Sequence, residues 1–324
     1  MAKKKLAFVL LMLLFETVPI LAYGAEYPTK PIEMVCPFTA GSSMDILSRL
    51  IADISPKYLG QPVVVINKPG AGGSIGAAEV IKSRPDGYKL FMISTGFMAN
   101  ALKVQKVPFE KDDLIPLANF MEYKQGLAVR GDSPWKSLKE LLDYGKKNQG
   151  ELKWAHSGRG IPLHISGLLI FRKAGVKTIE VPYPGSPQVL SALLGGHIDA
   201  ASIVYGTIKD QVLAGKVRYL TFYTDHRYAD QPNVESVVEL GFPDAAKLVS
   251  YVGLYAHKNT PEPIKAFLIE ALKKVYDDPR CKKGIEQIGE EPRFGGPDFI
   301  RASIKEEEAA GVPILKELGL YVGG

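Results

Sequence analysis

The stretch Ile32-Glu33-Met34-Val35-Cys36-Pro37-Phe38-Thr39-Ala40-Gly41-Ser42-Ser43-Met44-Asp45 decides how this chain is read. It joins a short apolar strand, a turn broken by Pro37, and a loop of small residues that runs into a helix. Ile46, Leu47, Leu50, Ile51 and Ile54 follow at close to a 3.6-residue period, which predicts that helix. Ser42, Ser43 and Asp45 are residue types that cap helix starts, because their oxygens accept from free backbone N–H groups. Where a start is not wholly self-capped, those N–H groups and the helix dipole suit an anion. A small carboxylate seated here is one reading. An ordinary strand-to-helix turn is the other.

Working outward, residues 62–67 read as a second strand rich in β-branched side chains. A glycine loop, Lys68-Pro69-Gly70-Ala71-Gly72-Gly73-Ser74-Ile75-Gly76, then enters a helix, and Pro85-Asp86-Gly87 turns into a strand over 88–94. The order β-α-β-α-β is that of a doubly wound α/β sheet. After strand-like segments at 115–120 and 126–129, a second α/β series begins. It has a helix over about 137–147, a strand over 152–156, and the loop Ser157-Gly158-Arg159-Gly160-Ile161-Pro162 leading into a helix from Leu163. A strand ends at Val181, and Pro182-Tyr183-Pro184-Gly185-Ser186 opens a helix to Leu194. Strands over 198–204, 217–223 and about 249–256 follow, then helices over 264–276 and about 297–318. Val129-Arg130-Gly131-Asp132-Ser133-Pro134 and Ala256-His257-Lys258-Asn259-Thr260-Pro261 share one form: strand, polar turn, then proline before a helix. That echo suits two connections crossing between two lobes.

The composition, 46% hydrophobic and 23% charged over 324 residues, provides for two domains. Residues 1–25 stand apart: Lys3, Lys4 and Lys5 precede an apolar run over 6–15, interrupted by Glu16, and Ala22, Gly24 and Ala25 follow. This is the pattern of a secretory signal, with cleavage after Gly24 or Ala25. The run is shorter than the roughly 20 residues a spanning helix needs, so the expected product is soluble and exported. The formal charge of +5 includes three lysines and one glutamate of the signal. The remaining chain, near +3, is too weakly basic to argue for nucleic acid. Cys36 and Cys281 allow one disulfide at most; Cys36 lies in a strand that reads as buried, which favours two free thiols.

Catalytic readings fail one by one. The glycine loop lacks the third glycine of G-x-G-x-x-G, since Ile75 stands there, and the next strand ends without an acidic residue to hold a ribose. His156, His164, His197, His226 and His257 show no His-x-x-x-His spacing and no cysteine pair joins them, so no metal is expected. The loop Ser157-Gly158-Arg159-Gly160 lacks the Gly-x-Ser-x-Gly form of a nucleophile elbow, and no carboxylate pair has a spacing that argues for acid–base work. The expectation is a protein with no catalytic activity and no cofactor. Two loops stand out as a pair instead: Phe38, Thr39, Ala40, Gly41, Ser42 and Ser43 with Asp45, and Ser157, Gly158, Arg159 and Gly160 with His164. Pro184, Gly185 and Ser186 form a third such entry. Two lobes, each presenting a helix start to a shared cleft, would clamp one small acid.

These residues resemble the solute-binding proteins of tripartite tricarboxylate transporters, the Bug family of periplasmic receptors. The resemblance runs through Tyr27-Pro28-Thr29-Lys30-Pro31-Ile32, Pro37-Phe38-Thr39-Ala40-Gly41 with Asp45, and Asn67-Lys68-Pro69-Gly70-Ala71-Gly72-Gly73. It continues at Pro85-Asp86-Gly87-Tyr88, Ser157-Gly158-Arg159-Gly160 with His164, Val181-Pro182-Tyr183-Pro184-Gly185, Gly195-Gly196-His197-Ile198-Asp199 and Ala214-Gly215-Lys216-Val217-Arg218. Each motif alone is weak; their order and spacing together are specific. The resemblance implies a type II periplasmic-binding-protein fold of two α/β lobes, 26–124 with 250–324 and 125–249, joined by two crossover segments. It implies a carboxylate held by the first two loops, mainly through backbone N–H groups and ordered water. Phe38 would cover the ligand, Asp45 would brace its loop, and Asp199 would order pocket water, accept from a ligand amine or simply close a surface turn. Thr95 and Tyr205 complete the candidate set.

The implied ligand is a small di- or tricarboxylate, aromatic acid or acidic amino acid. The implied partners are the large and small membrane subunits of such a transporter, served by a monomeric receptor. A sensor protein signalling to a two-component system is the alternative, and a periplasmic enzyme a more distant one. The chain departs from the family at Ser42, where a second glycine is usual, and at Ile161-Pro162, where small polar residues are usual. Tyr251 replaces a common tryptophan. Arg159 is placed either to grip a distal carboxylate or to face solvent.

Overall fold

The computed structural model describes residues 27–323, so the expected signal and its cleavage point lie outside the described residues. Strand β1 (Ile32–Cys36) leads to helix α1 (Ser43–Ile54), and a single turn, α2 (Pro56–Leu59), leads to β2 (Val63–Asn67). Helix α3 (Ser74–Ile81) then precedes β3 (Lys89–Ser94), and α4 (Thr95–Ala99) and β4 (Leu114–Glu122) follow. β1 lies between β2 and β3 with both parallel to it, the arrangement that the β-α-β-α-β order predicts. On α1, Met44, Leu47, Ile51 and Ile54 are at most 1% exposed and face the core, whereas Ile46 stays 39% exposed. The buried stripe has helical spacing because only one face of α1 meets the sheet.

The chain then builds a second sheet from β5 (Gln125–Arg130), β6 (Lys153–His156), β7 (Ile179–Pro182), β8 (Ala200–Val204) and β9 (Val217–Phe222). Helices α5 (Leu138–Lys147), α6 (Pro162–Lys173), α7 (Ser186–Leu194) and α8 (Tyr205–Leu213) connect these strands. The strand order is β7-β6-β8-β5-β9. β10 (Tyr251–His257) returns to the first sheet, inserting antiparallel between β3 and β4, and helices α9 (Glu262–Asp277) and α10 (Pro279–Ile288) follow. β11 (Glu291–Gly295) and α11 (Pro297–Glu317) finish that half, giving the order β11-β4-β10-β3-β1-β2.

The chain passes between the sheets at Tyr123 and Lys124, and again over 223–250. The two crossings touch: Tyr123 N–H donates to Ser250 O at 2.9 Å, and Tyr223 N–H to Gln125 O at 2.8 Å. The strand–turn–proline echo therefore does not mark the crossings. It marks the turn after β5 in one half and after β10 in the other, equivalent corners of two similar halves. The sequence reading also passed over α10 and β11, and both cysteines are buried free thiols.

Candidate functional site

The first loop is held from beneath. Asp45, 2% exposed, accepts from Gly41 N–H at 3.0 Å and Arg49 Nε at 3.1 Å through Oδ2, and from Asn67 Nδ2 at 2.9 Å through Oδ1. Asn67 Nδ2 also donates to Phe38 O at 2.9 Å, so one side chain of β2 ties both ends of the loop. Burial alone would raise the Asp45 pKa, but Arg49, Gly41 and Asn67 together hold it below the usual carboxylate value. Gly41 sits at φ +80°, a conformation that a side chain resists, which lets the loop turn sharply into α1. Ser42 Oγ caps α1 by accepting from Asp45 N–H at 3.2 Å.

The second loop is built on histidine. Gly158 N–H donates to His156 Nδ1 at 3.2 Å, and Gly160 N–H to His164 Nδ1 at 3.1 Å. With both Nδ1 atoms accepting, the proton of each neutral ring lies on Nε2. His156 Nε2 donates to Glu180 Oε1 at 3.1 Å; His164 Nε2, buried and without a hydrogen-bond partner, is 3.6 Å from the same oxygen. The imidazoles of His156 and His164 pull the Glu180 carboxyl far below its ordinary value, and Arg159 closes the group at 3.0 Å. Burial lowers the His156 pKa despite Glu180. His156, His164 and Glu180 place ligand-type atoms within 4.8 Å of one another. This tautomer withholds the Nε2 lone pairs, whereas a metal-bound histidine normally donates from its other nitrogen. The group fits a clasp on Glu180, not a cation.

Between the sheets, Phe38, Ser42, Ser43, Ser94, Tyr123, Gln125, Ser157, Ile161, Pro162, Leu163, Ser186, Val204, Thr207 and Ser250 line a cavity. It holds about 430 Å³ of space between atoms, its mouth included. The starts of α1, α6, α7 and α8 contribute Ser43, Pro162, Ser186 and Thr207, so four helix N-termini converge on it, each equivalent to about half a positive charge. The halves also touch directly. Thr39 Oγ1 donates to Gln188 Oε1 at 3.0 Å, and Ser43 N–H donates to Thr207 Oγ1 at 3.1 Å. The loop at Gly72 meets the second loop so closely that a Cβ on Gly158 would lie 3.1 Å from Gly72 Cα.

One buried carboxylate joins these pieces. Glu290, 2% exposed, accepts from Ser43 Oγ at 2.9 Å, from Gly206 N–H at 2.8 Å and from Lys124 N–H at 2.6 Å. Burial pushes its pKa up to about 7, although the three donors oppose the shift.

The structure thus brings Phe38, Ser42, Ser43, Ser157 and Ser186 to one cavity, with Thr39, Ala40, Gly41, Gly158, Gly160, Pro184 and Gly185 in the loops around it. Asp45 and His164 lie behind those loops. The N–H groups of Gly158 and Gly160 are taken by histidine, and Arg159, exposed, faces Glu180. Thr95 is 1% exposed and donates to Glu307, leaving Ser94 to line the cavity. Tyr205 turns into the second half, where Gln231 Nε2 donates to its hydroxyl at 3.0 Å; Thr207, two residues on, reaches the cavity. Asp199 stands at the start of β8, the end away from Val204 and the cavity, where it accepts from Lys153 N–H at 2.8 Å. The sequence reading missed Tyr123, Gln125 and Ser250 because they lie on or beside the crossings, away from the glycine loops at helix starts. It missed Glu290 because that residue's partners lie far away along the chain.

Comparison with known proteins agrees with this architecture. The sequence model for the tripartite tricarboxylate transporter family receptor matches residues 47–320. A curated relative, "UPF0065 protein in gbd 5'region" of Cupriavidus necator, is 34% identical over 93% of this chain and 91% of its own. The solved periplasmic binding protein BugD superposes with TM-score 0.84 at 30% identity, covering 91% of this chain and 99% of its own. R. palustris Rpa4515, solved with adipate, gives TM-score 0.85 at 27% identity over 91% and 99%. The fold is that of a periplasmic binding protein, and the chain belongs to the tripartite tricarboxylate transporter receptor family.

Proposed function

We propose that this protein is an exported periplasmic receptor that closes on a small carboxylate and passes it to the membrane subunits of a tripartite tricarboxylate-type transporter. The observation that carries the reading is the convergence of four helix N-termini and a set of hydroxyls on one interlobe cavity. The adipate in Rpa4515 supports the ligand class. Among the described residues no helix is long and apolar enough to cross a membrane, and the residues before 26 act as the export signal. The receptor works as a monomer whose lobes are 26–124 with 250–324 and 125–249, moving about the paired crossings at Tyr123 and Ser250.

A thermal-shift screen of the purified protein against small carboxylates, with NAD and neutral sugars as controls, tests this. A ligand at 100 times its Kd adds about 2.7 kcal/mol of stability. A raised midpoint with one class of acid is expected. Silence after unfolding and refolding to strip retained ligand, or a response to NAD or sugars alone, would sink the proposal.

A further inference from the structure

The charged run Lys305-Glu306-Glu307-Glu308 on α11 does not behave as one surface. Glu306 is exposed, and Glu308 pairs with Lys103 at 3.3 Å and with Lys111 at 2.7 Å. Glu307 turns inward and is 3% exposed. Ser303, Glu307 and Gly311 recur every fourth residue on the buried side of α11, which packs against α4.

There Thr95 Oγ1 donates to Glu307 Oε1 and accepts from Tyr251 N–H at 3.0 Å. Glu307 Oε2 is buried without a hydrogen-bond partner. Asn100, standing over Gly311 one turn further along α11, makes no hydrogen bond to it. Among the described residues no Lys, Arg or His answers Glu307, and the groups of β10 that feel its charge are the phenols of Tyr251 and Tyr255. A carboxylate so placed would be a charge out of water facing a single hydroxyl, and its desolvation would not be recovered. In the acid form Oε1 still accepts from Thr95, and a lone buried O–H on Oε2 costs far less than a lone buried charge. Burial accordingly drives the Glu307 pKa well above its ordinary 4.5, with Thr95 opposing.

What this acid holds lies one residue from the ligand cavity. Ser94, which ends β3, and Ser250, which precedes β10, both line it. Thr95 follows the first and Tyr251 the second, so the chain from Glu307 through Thr95 to Tyr251 ties together the two corners that carry those serines. The fit is tight. A Cβ on Gly96 would lie 2.9 Å from Ser250 Oγ and 2.3 Å from Pro162 Cγ, a lining residue of the other half. A Thr95 hydroxyl free to swing would release Tyr251 N–H, and with it the backbone that aims Ser250.

Resting on the carboxylate-receptor reading for what the cavity holds, we propose that Glu307 is an un-ionised acid and a positioning residue: through Thr95 and Tyr251 it fixes Ser94 and Ser250 for the ligand.

Infrared difference spectra of wild type against Glu307→Gln at neutral pH test the acid form without any ligand. The C=O stretch of an un-ionised carboxyl is expected in the wild type alone. Carboxylate bands in its place overturn the proposal. Amide hydrogen exchange at Tyr251 reads the link to Thr95, and should be faster in Thr95→Val and Glu307→Leu than in wild type. Unchanged exchange overturns that link.

Adipate, malate and benzoate serve as probes in isothermal titration. With any probe that binds, Glu307→Leu and Thr95→Val should each weaken affinity at least about tenfold, whereas Glu307→Gln, which keeps an acceptor for Thr95, should stay within about threefold. A loss in Glu307→Gln equal to that in Glu307→Leu would overturn the un-ionised acid. Full affinity in both Glu307→Leu and Thr95→Val would take Glu307 out of the site. Melting curves show which variants fold, and Thr95→Val carries the comparison if Glu307→Leu does not. If the wild type binds neither these probes nor any acid of the wider screen, the receptor reading falls and the effect on the ligand with it, while the infrared and exchange results still decide the state of Glu307.

Discussion

Gly206 N–H donates to Glu290 Oε1 at 2.8 Å, and a Cβ at position 206 would stand 2.4 Å from that same oxygen. The absence of a side chain at 206 is therefore what admits a carboxylate from the first half to the first turn of α8 in the second. Lys124 N–H meets the other oxygen, so Glu290 binds both halves and the crossing between them.

The titration of Glu290 has a definite sign. Its folded pKa, about 7, lies above its ordinary 4.5, so the folded state holds a proton that the unfolded chain has released. The stabilising share is complete below about pH 4.5 and is lost as pH rises through about 7. Glu290→Gln should flatten that slope. It should also cost about 1–3 kcal/mol, because its amide NH2 faces a donor. Urea midpoints across this range check both; a variant with the wild-type slope would show that another group carries it.

Asp45→Ala leaves Gly41 N–H without its acceptor, leaves Asn67 Nδ2 with Phe38 O alone and removes the carboxylate facing the exposed Arg49. A loss of about 1–3 kcal/mol in chemical denaturation is expected, together with weaker binding of any acid that stabilises the wild type. Binding at full strength in a destabilised protein would mean that the 38–43 loop keeps its shape unaided.

Acid should loosen the second loop. The His156 pKa is held below its ordinary 6.5, chiefly by burial, so its contribution is intact above that value and lost as pH falls below it. Protonation also places a hydrogen on Nδ1, where Gly158 N–H now donates. The drop in melting temperature between neutral and mildly acid buffer should be smaller for His156→Gln than for wild type. Equal drops would acquit His156.

Ser157→Trp puts an indole into the cavity from its second loop. Binding should disappear while the melting temperature stays within a few degrees, since Ser157 makes no hydrogen bond that holds the fold. Unchanged affinity would place the ligand elsewhere.

The fold was readable where physics is local. Strand 32–36, its helix, the β-branched strand at 63–67 and the glycine corners follow from period, branching and turn chemistry within about a dozen residues. The missed helix α10 is short and defined by packing on α1, where Leu50 fills the space beside Gly284, and the missed strand β11 is defined by its antiparallel pairing with β4. In the site, Phe38, Ser42, Ser43, Ser157 and Ser186 sit at strand-to-helix corners, a position visible in the sequence. Tyr123, Gln125, Thr207, Ser250 and Glu290 come together only through tertiary closure, and nothing near them along the chain announces it. Arg159 shows the limit most clearly: its chemistry suits an anion, and the anion it found is Glu180.

Cys36 and Cys281 are 0% exposed, and burial raises their thiols to about 11 and 12. The folded protein should accordingly be silent toward maleimides and similar reagents, which need thiolate and access. A cysteine introduced at exposed Val64 and a second at exposed Leu213 could each take a dye without background from the native pair. The molecule comes ready for single-molecule distance measurements, which would test the proposed opening and closing directly, ligand by ligand.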